Sequence, residues 1–238
     1  MPILFADDTS IRVKSSNLMD FQYNMAMAFH YVNQLFKIKL LSINVDKTNY
    51  IQFKTKNKPT YDIKIACNGN SITALPTIKF LVLYIEDSIN WNCHIDYIFP
   101  KLSSACYAMR SIKPVMSVNT LKTVYYSSFN AIVSYGLPFW GKSRHNFKVF
   151  RFKIRIIRVM LGCKQRVSCK NLFKKLKILP LLSQYIHLLM LFVVNDTNLF
   201  TLSSEHYATS TRQLNNFYQP MTSFTTYQKE YTTWVSRY

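Results

Sequence analysis

The sequence predicts an α+β fold, with strands first and helices after. Three observations predict it. Up to about residue 90, short apolar runs alternate with turn-forming residues, as in "ILF", "ADDT", "SIRV". After Trp91 the apolar residues recur at steps of three and four, the period of a helix with one buried face. Hydrophobic residues make up 49% and charged residues 17% of 238 residues, a globular balance in a chain long enough to bury a core.

The elements follow in order. Residues 3–14 read as a tight hairpin turning at "ADDT", because Asp side chains bond readily to nearby backbone. Ser15, Ser16 and Asn17 offer a helix N-cap. Leu18, Phe21, Met25, Phe29, Val32 and Phe36 then mark an amphipathic helix ending near Lys39. "LSINVDKTNYIQF" (41–53) reads as a turn at "NVDKT" followed by a strand. "YDIKIACNGNSIT" reads as a hairpin turning on Asn68, Gly69 and Asn70. "TIKFLVLYI" (77–85) reads as one short apolar strand. Ile95, Ile98, Leu102, Ala105 and Met109 give one helical stripe, and Leu121, Val124, Tyr125, Phe129 and Ile132 another. "KVFRFKIRIIRVMLG" (148–162) is a third helix with Gly162 as its C-cap. "IHLLMLFVV" (186–194) is too short to cross a bilayer and reads as a buried helix. Beyond Asn195 the chain turns polar, and a loosely ordered tail with a few aromatic anchors is expected.

Charge narrows the function. Lys and Arg number 30 against 11 Asp and Glu, a formal net charge of +19. From Tyr97 to Asn195 there is no acidic residue, while Lys and Arg number 17. Such a stretch repels itself unless a polyanion neutralises it. Nucleic acid is the expected partner, through phosphate contacts, with anionic membrane as the rival. Four glycines and the lack of a GxGxxG or P-loop pattern argue against a Gly-rich phosphate loop. Five scattered cysteines and no signal peptide fit a reduced, intracellular setting rather than secretion. The six-residue step in "CKQRVSC" is not a zinc-knuckle spacing.

Several residue groups could carry chemistry. Asp7 and Asp8 sit together in an apolar run, where two carboxylates at a hairpin tip suit a hard divalent cation. On that pair alone an exposed turn is the simpler reading. At 100° per residue, Lys148, Arg151, Arg155 and Arg158 share one narrow stripe of their helix. A solvated ridge and a phosphate-binding ridge both fit it, and the missing acids favour the second as much as habit favours the first. "SYGLPFWG" (134–141) could stack bases, but a rigid aromatic turn in the core is the plainer account. The five histidines are dispersed, and none reads as a metal ligand or nucleophile.

Taken in order, "FADDTSI", an amphipathic helix, "INVDKTNYIQF" and "IKFLVLYIEDSINWNCHIDYI" resemble the reverse transcriptase of non-LTR (LINE-type) retrotransposons, in particular the jockey-like group. The resemblance continues through "KLSSACYAMRSIK", "TLKTVYYSSFNAIVSYGLPFWG" and "LFKKLKILPLLSQYI", covering roughly residues 3–215. It implies a partial palm over 1–90, thumb helices over 91–135, a basic helical extension over 136–195 and a polar tail over 196–238. "FADD" would be the catalytic box, with Asp7 and Asp8 holding catalytic Mg²⁺ and Asp7 the principal ligand. Lys47 would be a catalytic residue near the phosphates of the incoming nucleotide, as a general acid or a charge stabiliser for the leaving pyrophosphate. Phe80, Leu81 and Val82 would form the primer-grip turn, with Val82 where the family usually has glycine. The implied partners are an RNA template and an RNA–DNA or DNA duplex, in a nuclear or ribonucleoprotein setting.

In that family a large part of the catalytic domain precedes the box, including another metal-binding carboxylate. Here four residues precede Phe5. The expectation is therefore a C-terminal piece of an RNA-directed DNA polymerase, inactive alone, with Mg²⁺ expected only when an N-terminal polymerase segment completes it. The alternatives are a non-catalytic basic RNA- or DNA-binding module and a degenerate element remnant. No membrane partner is expected.

Overall fold

The computed structural model describes residues 2–5, 8–15, 17–53, 63, 65–67, 70–164, 166–206 and 216–218. The fold is α+β and mostly helical, with short two-stranded sheets. It divides into two compact units, 1–78 and 79–238.

The first unit begins with the expected hairpin, β1 (Pro2–Phe5) against β2 (Asp8–Ile11), in which Phe5 pairs with Asp8. Helix α1 (Leu18–Ile38) starts after Asn17 and stops where the periodicity predicts. Its Phe21, Met25 and Phe29 lie against Ile63, Ile72, Val45 and Tyr50. Among the described residues Ile63 and Ile72 are the buried members of that cluster, and α1 buries no residue fully. Two expectations change here. The strand expected after "NVDKT" does not form: Val45–Lys47 is a turn of 3-10 helix, and Tyr50 makes only an isolated bridge to Ala74. A strand needs a partner along its length, and the described residues offer Tyr50 one only at that point. In the second hairpin, β3 (Ile65–Cys67) and β4 (Asn70–Ile72), Asn70 pairs with Cys67. Asn70 therefore belongs to the strand and not to the turn. Asn68 and Gly69 lie outside the described residues.

The run 77–85 is not one strand but a hairpin, β5 (Thr77–Phe80) and β6 (Leu83–Glu86), turning at Leu81 and Val82. Both turn residues have positive φ, 45° and 67°, the conformation a two-residue hairpin turn demands. Neither side chain favours it, so tertiary contacts must hold it. The Tyr135 hydroxyl donates to the Leu81 carbonyl. Leu83 packs so closely on Gly136 that a Cβ there would lie 2.6 Å from its side chain.

β6 ends in Glu86, whose carboxylate accepts from the Asn92 N–H at 2.8 Å and from the Cys93 thiol at 3.1 Å. An acid there satisfies a free N–H of the next helix, α2 (Asn92–Ile112), and complements its dipole. Every residue of the stripe predicted for α2 is buried. The next stripe falls on α3 (Val118–Val124), capped by Ser117, a π-helical turn at Tyr125–Asn130, and α4 (Ala131–Ser134). Short helix α5 (Leu137–Trp140) then leads to α6 (Asn146–Leu161), which ends at Gly162 with φ 65°. Helices α7 (Cys169–Leu176), α8 (Leu181–Asn195) and α9 (Ser203–His206) complete the unit.

One core unites these helices, built on Ile95, Leu102, Phe129, Trp140, Ile156 and Met160. The "SYGLPFWG" segment belongs to it. Trp140 is fully buried and donates from its indole N–H to the Tyr135 carbonyl at 3.0 Å. A Cβ at Gly141 would lie 2.5 Å from the Tyr185 ring, so α5 and α8 meet only because that residue is glycine. The expectation that 186–194 is buried is corrected. Leu189 is buried, but Met190, Leu191 and Val194 are exposed: α8 is apolar on more than one face, and Leu181, Gln184, Tyr185 and Leu189 are the residues it buries. The aromatic anchors after residue 195 are present: Phe200 meets Phe192 and Phe217, and His206 stacks on Tyr218.

Candidate nucleic-acid interface

The basic stripe of α6 is exposed at Arg151 and Arg155 and half-buried at Lys148 and Arg158. Val149, Phe152, Ile156, Ile157 and Met160 bury one side of the helix, and Phe99 of α2 meets Phe152 edge to face at 4.7 Å. An open groove of about 470 Å³ runs along α6. Arg151, Arg155 and Arg158 line it from α6, and Arg110 from α2. Ile154 and Val159 add an apolar surface within it. A Cβ at Gly162 would sit 3.8 Å from Lys113 Nζ, which places a further cation at one end.

The guanidiniums are held in different ways. Arg151 lies over the Phe147 ring and Arg155 over the Phe152 ring, each 5.1 Å from the centroid, a contact that orients a guanidinium without neutralising it. Arg158 donates to the Val167 carbonyl at 3.0 Å, and its buried Nε has no hydrogen-bond partner among the described residues. Cys106 lies within the field of Arg155 and Arg110. Burial nonetheless raises its thiol to about 11, against the pull of those two arginines. No ion pair to Arg110, Arg151, Arg155 or Arg158 occurs among the described residues. Four cations at one groove with no acid to neutralise them make a site for an anion.

Lys148, the first member of the predicted stripe, does not line the groove. It forms an ion pair with Asp96 at 2.8 Å. Asp96 stands one residue before the acid-free stretch, so the count of acids from Tyr97 onward passes over it. Arg110 was not singled out in the sequence, although a signal existed: it follows Met109, the last residue of the buried stripe of α2, and so lies at the edge of the face that α6 covers.

The remaining predicted residues are placed as follows. Asp7 lies outside the described residues. Asp8 is exposed at the start of β2, and Lys47 is exposed at the end of the 3-10 turn, its backbone N–H donating to Asn44 Oδ1 at 3.2 Å. Among the described residues no group of three His, Cys, Asp or Glu side chains could hold a metal. Phe80 and Leu81 are half-buried and Val82 is exposed at the tip of its hairpin.

Sequence reasoning missed Lys153. It lies on α6 among arginines but is fully buried. Its amine donates to Gln184 Oε1, and Gln184 donates to Ser134 Oγ at 2.7 Å. Asn130 also donates to Ser134 at 3.1 Å and accepts from the Tyr125 hydroxyl at 3.3 Å. Desolvation lowers the Lys153 pKa to about 7. Its position one residue after the buried Phe152 was the available signal.

No single helix among the described residues is long and apolar enough to cross a membrane; α7 and α8 pass that test only jointly, across a bend of 46°. No protein-family model, curated protein or solved structure matches the chain.

Proposed function

We propose that this chain binds nucleic acid through the arginine groove between α2 and α6, as the C-terminal part of a non-LTR retrotransposon reverse transcriptase. The carrying observation is the groove itself: Arg110, Arg151, Arg155 and Arg158 converge on it with no acid paired to them among the described residues. Phosphates are the anions that such a cluster of forked donors suits. On the polymerase reading, α2 and the helices after it are the thumb and its basic extension, and the Leu81–Val82 turn is the primer grip. The positive φ at Val82 supports that part, since the turn is kept although the usual glycine is gone.

Polymerase chemistry is proposed for the complete enzyme and not for this chain. Primer extension on an RNA template with Mg²⁺ is expected to yield no product. Extension that disappears in Asp7→Ala would overturn this. The binding claim is tested by equilibrating the chain with a labelled RNA–DNA duplex bearing a single-stranded template extension, and separately with phosphatidylserine vesicles. Capture by the nucleic acid and not by the vesicles is expected. Capture by the vesicles alone would reject the reading in favour of a membrane surface.

A further inference from the structure

We infer that the groove grips one unpaired strand of nucleic acid and not the outside of a duplex. This rests on the nucleic-acid reading above and adds which form of the polymer the site takes. Three features point there. Arg151, Arg155 and Arg158 step along α6 by four and three residues, which at ~1.5 Å per residue spans about 10 Å. At roughly 3.4 Å of axis per phosphate, the rise along one strand of a duplex, that length covers about three steps between phosphates.

The second feature is the second helix. Arg110 comes from α2, so the cations of this open groove stand on two helices and not on one ridge. The volume of about 470 Å³ lies in the range of pockets for compact organic groups. A duplex presents its phosphates on a convex rim and keeps its bases stacked inside. A single strand can lie along an open groove and meet cations from two helices.

The third feature is the apolar surface of Ile154 and Val159 between the arginines. Phosphate alone has no use for it. A sugar edge or an unstacked base does, as in other sites that combine a basic track with apolar contacts to single strands. Arg151 lies over the Phe147 ring and Arg155 over the Phe152 ring, contacts that orient both guanidiniums before any ligand arrives.

The test uses the full chain and three fluorescent probes: a 12-nucleotide oligo-dT, a 12-nucleotide oligo-U RNA and a blunt 12-base-pair duplex. Anisotropy is read across a salt series, for the wild type and for Arg110→Ala, Arg151→Ala and Arg155→Ala. Arg158 is left alone because it also holds the Val167 carbonyl. The single strands are expected to bind at least ~10-fold more tightly than the duplex. Each substitution should weaken single-strand binding several-fold and make the log–log salt slope shallower by about 0.7, the value for one phosphate contact on a single strand. Circular dichroism and a urea midpoint equal to wild type show that the variants remain folded. Equal binding of duplex and single strand, or a single-strand preference that survives all three substitutions, overturns this inference and leaves the nucleic-acid reading standing. No binding to any probe overturns both.

Discussion

Lys153 has no exposed surface, yet its partner is a neutral amide, the Oε1 of Gln184. Unfolded, an ordinary lysine keeps its proton up to about 10.5, whereas in the fold desolvation releases it near pH 7. Between those values the unfolded state binds more protons, so stability rises with pH through this window, by at most about 1.4 kcal/mol per unit. His94 acts in the same direction at lower pH. Burial, assisted by the Lys101 charge, lowers its pKa from 6.5 to about 4, so stability falls as pH drops through that range. Urea midpoints at pH 7, 8 and 9 should climb for the wild type and climb less for Lys153→Met. Equal slopes in both proteins would show that the amine is not the cause. Val82 offers a second test at this scale. A β-branched residue at φ 67° is strained by roughly 1–3 kcal/mol, so Val82→Gly should raise the urea midpoint even though glycine frees the unfolded chain. A lowered midpoint would mean that the turn relaxes elsewhere.

Helices α1, α2 and α6 were legible because their apolar spacing is regular and their ends carry ordinary signals, Asn17 before α1 and Gly162 after α6. The β5–β6 hairpin was not legible from propensity. "KFLVLY" contains no turn residue, and its reversal depends on Tyr135 and Gly136, more than fifty positions away. The resemblance did mark "FLV" as a turn, although periodicity read straight through it. The groove was half legible: one wall is a stripe on one helix, but the other arrives by packing, and Asp96 removes Lys148 from the set. Two variants test the element-level account. Glu86→Ala removes the carboxylate that accepts from Asn92 N–H, with an expected loss of about 1 kcal/mol in urea unfolding. Ile156→Ala opens a cavity in the α2–α6 core and should cost about 2–5 kcal/mol. A loss from Ile156→Ala no larger than that from Glu86→Ala would contradict the packing described for α6.

At the scale of the molecule the two units differ in how well their described apolar residues are buried. The second has a deep core. In the first, Met19, Tyr23, Tyr31, Leu35 and Ile38 of α1 are exposed, together with Ile3, Phe5 and Ile11 of the first hairpin. Unit 1 should therefore open first, and limited trypsin digestion should cut residues 1–78 before it cuts α2 to α8. Equal protection of both units would contradict this. The net charge of +19 works against the compact state in the absence of a polyanion, so nucleic acid that binds the fold should also raise its melting temperature.

The central claim is that the arginines between α2 and α6 neutralise phosphates. The most direct measurement is the affinity for an RNA–DNA duplex with a single-stranded extension, taken as log Kd against log salt from low to physiological ionic strength. Four arginines on phosphates, with no acid paired to them among the described residues, predict that log affinity falls with a slope of about −3, and that the charge-reversed pair Arg151→Glu and Arg155→Glu flattens it. A slope near zero in the wild type, or an unchanged slope in the charge-reversed protein, would contradict the account.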